Sequence, residues 1–165
     1  MEARRGDLFL NGRRVITTLS QVATFLFVVW LASSSSSFGA VTCDGAIQTE
    51  YEPVVIELQG TLDRQFRYGP PGYGENPDRD QRVLIPILWL DCPVSVSGNR
   101  DGDLNTEDVL RITGIQLNIP AKLKGWDALI GHSVKVRGTL SHAMTGHHYT
   151  AAVLAVSRII AGSAK

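Results

Sequence analysis

Three of the four histidines in the chain, His142, His147 and His148, fall within seven residues of one another. Imidazole nitrogens are ligands for Zn²⁺, Cu²⁺ and Ni²⁺, and they also exchange protons near neutral pH. If Ala143 to Gly146 form a turn between two strands, His142 and His147 lie opposite each other at the start of that turn. The cluster predicts either a transition-metal site or a hairpin whose histidines bind backbone groups or an organic ligand.

Structural zinc sites in proteins have four protein ligands, and catalytic zinc sites have three protein ligands and a water molecule. No cysteine or carboxylate lies close to the three histidines in the sequence. We therefore expect no bound cofactor, and we keep a metal such as zinc on His142, His147 and His148 as the alternative.

Aromatic and hydroxyl side chains accompany the histidines, and a second group of aromatics belongs to an earlier loop. Such side chains offer flat apolar surfaces with polar edges, which suit a small molecule, a peptide or a glycan. The predicted ligand-binding residues are Phe66, Tyr68, Tyr73, His142, Thr145, His147, His148 and Tyr149.

The chain contains no nucleophile elbow, no glycine-rich phosphate loop and no Cys–His nucleophile pattern. The leading hypothesis is therefore a non-catalytic binding module rather than an enzyme. A metal-binding periplasmic protein is one alternative, and a hydrolase of envelope polymers is another that only the predicted compartment favours.

The first forty residues have the layout of a secretory signal peptide. Four arginines precede an apolar run from Val22 to Ala32, and five serines and Phe38-Gly39-Ala40 follow it. Eleven apolar residues are too few to span a bilayer, which takes roughly 20. We predict export to the periplasm or medium after cleavage near residues 34–40, with contact to the membrane only during export. An uncleaved anchor over Val15–Ala32 is the alternative, if the Thr, Ser and Gln of that stretch are tolerated.

The remaining 125 residues carry twelve basic and fourteen acidic side chains. A nearly neutral domain has no long-range attraction for the phosphates of nucleic acids or for anionic lipids. The composition therefore argues against a nucleic-acid partner.

Two cysteines, Cys43 and Cys92, follow the predicted signal peptide. In an oxidising compartment an even pair in a small domain predicts one disulfide. Two unpaired thiols in a non-oxidising location are the alternative, and no C-x-x-C redox motif is present.

The exported part alternates between apolar and polar residues, which predicts strands. In Val54–Leu62 the alternation places Ile56, Leu58 and Leu62 on one face, and in Val109–Ile119 it places three further apolar residues on one face. Further strands are predicted over Val83–Leu90, where Trp89 is expected in the core, over Ser133–Leu140 and over Tyr149–Ile160.

One short helix of about ten residues, interrupted by Gly125, is predicted over Ala121–Ile130, between the third and fourth strands. The first and fourth strands share a Gly-Thr-Leu ending, with Gly60 and Gly138 in the same phase, where a closing barrel bends sharply and a Cβ obstructs. Five strands with this helix predict an all-β fold, a small OB-like Greek-key barrel.

The predicted organisation has four parts. A signal peptide covers residues 1–40, an N-terminal segment covers 41–53, the OB-like barrel covers 54–160, and a short tail covers 161–165.

Three motifs carry a resemblance to a known family. They are Gly-Pro-Pro-x-Tyr at Gly69–Tyr73, Leu-x-Gly-x-x-Val-x-Val-x-Gly-Thr-Leu at Leu129–Leu140, and Thr-Gly-His-His-x-Thr at Thr145–Thr150. They resemble the bacterial domain-of-unknown-function family 4431, whose members look like small exported proteins. The similarity runs from Tyr51 to Val156, and it implies the fold and export but no particular activity.

Overall fold

The computed structural model describes residues 42–162 of the chain, so the predicted signal peptide lies outside the described residues. The described part is all-β, with six strands and a four-residue 3₁₀ helix between the fourth and fifth strands. The strands are β1 (Ile47–Glu50), β2 (Val55–Tyr68), β3 (Arg82–Ser97), β4 (Val109–Asn118), β5 (Ser133–His142) and β6 (Ala152–Ala161), and the 3₁₀ helix is Trp126–Leu129. No helix within this range is long and apolar enough to cross a membrane.

The six strands form one mixed sheet in the order β1-β3-β2-β5-β6-β4, and β3 also pairs with β4. Five strands, β2 to β6, therefore close into a ring of hydrogen bonds. The neighbours in the ring are antiparallel except for β4 and β6, which are parallel. The ring confirms the predicted all-β class. The sixth strand, β1, lies within the predicted N-terminal segment and adds to β3 in parallel.

The core lies on the face that the alternating pattern predicts. Leu58 and Leu62 on β2 are buried, as are Ile115 and Leu117 on β4, and Ile56 packs against the edge of the same cluster. Leucines and valines from the other ring strands complete the core, including Leu88, Val94, Val134, Val136, Leu140 and Leu154.

Gly60 and Gly138 each lie directly against the backbone of a neighbouring strand. A Cβ at Gly60 would overlap the carbonyl oxygen of Trp89, and a Cβ at Gly138 would overlap the carbonyl oxygen of Ala155. The register of β5 against β6 shifts between Arg137 and Gly138. The predicted obstruction at these two glycines is confirmed, because only glycine leaves room for the facing backbone.

The predicted disulfide is present between Cys43 and Cys92, whose Cα atoms lie 5.6 Å apart. Cys43 precedes β1 and Cys92 lies within β3, so the bond ties the start of the described chain to the longest strand. A disulfide is compatible with an oxidising compartment.

The prediction of a helix of about ten residues within Ala121–Ile130 is wrong, because only a single 3₁₀ turn forms there. Gly125 adopts a left-handed conformation with φ of 77°, and Ile130 is already extended. These two residues limit the helix to Trp126–Leu129, which is too short for α-helical hydrogen bonding to develop.

The expectation that Trp89 lies in the core is also wrong. Its neighbour Leu88 points into the core, so the alternation of β3 turns Trp89 outward, where it remains 42% exposed. The indole covers Gly114, the cross-strand partner of Trp89 on β4. The indole Nε1–H donates to the Asp63 carboxylate at 3.2 Å. An aromatic ring over a cross-strand glycine shields backbone that has no side chain of its own.

Candidate functional site

The first loop, residues 69–81 between β2 and β3, is organised around a buried carboxylate. Asp80 is 7% exposed and accepts three backbone hydrogen bonds, from Gly72 and Gly74 at 2.7 Å each and from Asn76 at 3.2 Å. Because all three hydrogen bonds converge on the Asp80 carboxylate, this side chain fixes the path of the loop. Tyr73, whose φ is 51°, lies between the two donors Gly72 and Gly74.

We expect acid to loosen the first loop through Asp80. Burial raises the pKa of this carboxyl, but the N–H donors of Gly74, Gly72 and Asn76 lower it more, so the pKa lies below its ordinary value of 3.8. The ionised group therefore stabilises the loop at pH values above the unfolded pKa, and this stabilisation is lost as the pH falls through the folded pKa. Amide chemical shifts followed from about pH 6 to about pH 2 measure the transition.

Asp80→Asn is expected to loosen the loop at neutral pH and to abolish its acid transition. Asp78 is an exposed neighbour in the same loop, so Asp78→Asn serves as the matched control and should leave the transition in place. An Asp80→Asn protein whose loop still changes with acid in the same way would contradict the assignment.

The second loop, residues 143–151 between β5 and β6, is held by Gln116 on β4. The Gln116 side chain donates to the carbonyl of His147 at 3.0 Å and accepts the N–H of Tyr149 at 2.8 Å. The Gln116 backbone N–H donates to the Thr150 hydroxyl at 2.9 Å. One β4 residue thus holds the loop at three positions, His147, Tyr149 and Thr150.

The two loops contact each other through side chains that the sequence analysis singles out. The Tyr73 hydroxyl lies 3.2 Å from Nε2 and 3.3 Å from Nδ1 of His147, and the two rings meet edge to face. The Tyr149 hydroxyl donates to the carbonyl of Tyr68 at 2.9 Å. Tyr73 and His147 are 74 positions apart in the chain, and Tyr68 and Tyr149 are 81 positions apart. Their contacts join the two loops into a single surface.

Beneath this surface lies a row of cross-strand partners on the outer face of the sheet. Gln116 pairs with Ile87 on β3 and with Val153 on β6. Both apolar partners are buried, although neither belongs to the main core cluster. Gln116, which holds the second loop, is therefore flanked by a buried apolar residue on each neighbouring strand. A cleft of about 230 Å³ opens beside the second loop, lined by residues that include Gln116, Asn118, His147, His148 and Val153.

Two further predicted residues lie at the margins of the surface. Phe66 is 43% exposed, with its ring edge-on to Tyr68 at 5.0 Å between centroids. Thr145 sits within the second loop, where its carbonyl accepts the His148 N–H at 2.9 Å and its hydroxyl accepts the His147 N–H at 3.4 Å. Phe66 thus offers exposed apolar area, whereas Thr145 shapes the loop.

The prediction that His142 and His147 face each other across a four-residue turn is wrong. His142 pairs with Ala152 at the end of β5, and the connection between the strands is nine residues long. The reason is that Tyr149 and Thr150 bond to Gln116 on β4 instead of continuing β6.

His142 instead has neighbours from other loops. Its backbone N–H donates to the Asn105 side chain at 2.7 Å, its Nε2 lies 3.6 Å from the Glu107 carboxylate, and its ring meets the edge of Tyr51. The structure therefore joins His147 with Tyr73 and separates the contacts of His142 from theirs.

Within residues 42–162, no group of three or more His, Cys, Asp or Glu side chains is arranged to hold a metal ion. His148 uses its Nδ1 to accept the N–H of Met144 at 2.9 Å, so this nitrogen already has a hydrogen-bond partner. The three predicted metal ligands each take part in a different set of contacts.

Gln116 and Asp80 are the organising residues that the sequence analysis does not identify. Gln116 alternates with Ile115 and Leu117, so the pattern of β4 does predict that it faces outward. No sequence signal indicates that a loop thirty residues later folds over it. Asp80 is one of several charged residues in a polar loop, and only its burial distinguishes it.

Comparison with known families supports the resemblance inferred from the motifs. Residues 114–160 match the family described as a domain of unknown function, DUF4431. The match covers the second half of β4, then the 3₁₀ helix, β5, the second loop and nearly all of β6, and it confirms the predicted resemblance. The search of curated proteins found no match.

Proposed function

We propose that this protein is an exported, non-catalytic binding module whose ligand surface is formed by the two loops and Phe66. The main observation in support of this proposal is the contact between Tyr73 and His147, which joins the two loops beside the 230 Å³ cleft. Both side chains are exposed, so their polar edges remain accessible to a ligand. A small molecule, peptide or glycan with hydrogen-bonding groups and an apolar face suits this surface.

The fold that we infer is an OB-type barrel. The ring order β2-β3-β4-β6-β5 supports it, since the third and fifth ring strands along the chain pair in parallel and the 3₁₀ turn lies between the third and fourth. In OB folds the loops after the first and fourth strands flank the ligand face. Here these are the first and second loops, which supports the same surface by an independent route.

Export is the second part of the proposal. Residues 1–40 support it, because a basic start is followed by an apolar run and then by small residues, as in a signal peptide. The disulfide supports it too, because disulfides are stable in an oxidising compartment.

The test titrates ¹⁵N-labelled protein, purified after export without a histidine tag, with chitotriose, a soluble muropeptide and a tripeptide in separate experiments. We expect one probe to shift the amide signals of both loops, and His147→Ala/His148→Ala to remove this response without lowering the melting temperature. His132 is exposed, and its backbone N–H and carbonyl bond to Leu129 and Leu62, so His132→Ala is the matched control that should bind normally.

Three outcomes would overturn the proposal. The first is no loop response to any probe at about 10 mM, a concentration that detects even a weak site. The second is unfolding of His147→Ala/His148→Ala, which would make these histidines structural. The third is one equivalent of zinc in the purified protein that this variant loses, which would replace the organic ligand with a metal.

A further inference from the structure

We propose a second binding site, for a small organic anion with an apolar ring or body, on a different part of the molecule. It is a cleft of about 400 Å³ between the segment that follows β4 and the end of β6, and it includes part of the 3₁₀ helix. None of its lining residues belongs to either loop of the proposed ligand surface. The inference therefore does not depend on the function proposed above.

The floor of this cleft is apolar and anchored in the core. Leu123, Leu129 and Ile159 line it and pack against the main hydrophobic cluster. Because these side chains are held from behind, the cleft is preformed rather than made by the ligand. Its volume falls within the range of clefts that hold small molecules.

The rim of the cleft is positively charged. Lys122 and Lys124 stand on either side of Leu123, both are exposed, and no lining residue is acidic. Within the described chain, neither lysine is paired with a carboxylate. Two ammonium groups above an apolar floor are the complement of an anion attached to an apolar body.

Trp126 supplies the flat surface of the site. Its indole lines the cleft and is half-buried, and the Arg64 guanidinium lies 5.0 Å from the centre of the ring. This cation–π contact restrains the indole and adds a third positive charge nearby. An aromatic or sugar ring that carries a carboxylate, sulfonate or phosphate matches an indole bordered by cations.

The test uses 8-anilinonaphthalene-1-sulfonate, a sulfonate on an aromatic body, with the exported protein. In Trp89→Phe, energy transfer to the probe comes from Trp126, because residues 41–165 contain no other tryptophan than these two. We expect saturable transfer, an affinity that falls with added salt, and weaker binding of the neutral analogue N-phenyl-1-naphthylamine.

Lys122→Gln/Lys124→Gln is expected to weaken probe binding at least about tenfold, since hydrogen bonds to charged groups are the stronger ones. Arg111→Gln/Arg137→Gln removes the same charge from exposed positions on β4 and β5, outside both the cleft and the two loops, so it should bind like the parent. Equal binding of the neutral analogue, or unchanged affinity in the lysine variant, would overturn the proposal. If the lysine variant has a lower melting temperature than the parent, the salt dependence of probe binding to the parent tests the proposal instead. An affinity that does not fall with added salt would overturn it.

Discussion

Gly138→Ala is expected to destabilise the domain by about 3 kcal/mol, the upper end of the usual cost of overpacking. The added Cβ would overlap the carbonyl oxygen of Ala155, which is backbone of β6 and has no rotamer to change. Relief requires β5 and β6 to separate at the register shift beside Gly138, and this opens the ring of strands. Urea unfolding followed by circular dichroism measures the change in the free energy of unfolding.

Arg137→Ala is the matched control for this substitution, because Arg137 precedes Gly138 on the same strand and is exposed. It should change stability by less than about 0.5 kcal/mol, as is usual for surface positions. Gly60→Ala tests the same idea at the facing carbonyl of Trp89 and should resemble Gly138→Ala. If both glycine variants were as stable as Arg137→Ala, the close approach of the strands would be wrong.

Cys43→Ser/Cys92→Ser is expected to cost about 4 kcal/mol, because the bond closes a long loop and restricts the unfolded chain. The cysteines are 49 residues apart, and the whole of β2 and the first loop lie between them. For a domain of this size the loss corresponds to a melting temperature lower by roughly 15 °C. Differential scanning calorimetry of the parent and the double variant gives the value.

Chemical reduction of the parent protein provides the control for the cysteine substitutions. The reduced parent should melt close to the double serine variant, since both lack the cross-link and differ by two atoms. A double variant that melted within about 2 °C of the oxidised parent would show that the bond restricts little of the unfolded chain. Reduction that left the parent unchanged would lead to the same conclusion.

The sequence alone determined the class of fold and the inward faces of β2 and β4. Side chains alternate between the two faces of a strand, so the prediction of strand β2 also predicts that Leu58 and Leu62 lie on the same face. Both are buried. The repeated glycines were equally readable, because a glycine inside an apolar strand indicates a close backbone approach. The disulfide followed from the presence of two cysteines in a chain predicted to be exported.

Only the tertiary structure decided which of the predicted site residues lie together. Tyr73 and His147 are 74 positions apart, and their contact depends on the ring that brings the first loop beside the second. The second loop takes its path from Gln116, whose hydrogen bonds capture residues that the local pattern assigns to β6. Local periodicity records which face of a strand is buried, but it does not record which distant polar group satisfies a loop backbone. The surface formed by the two loops therefore depends on long-range hydrogen bonds that sequence spacing cannot express.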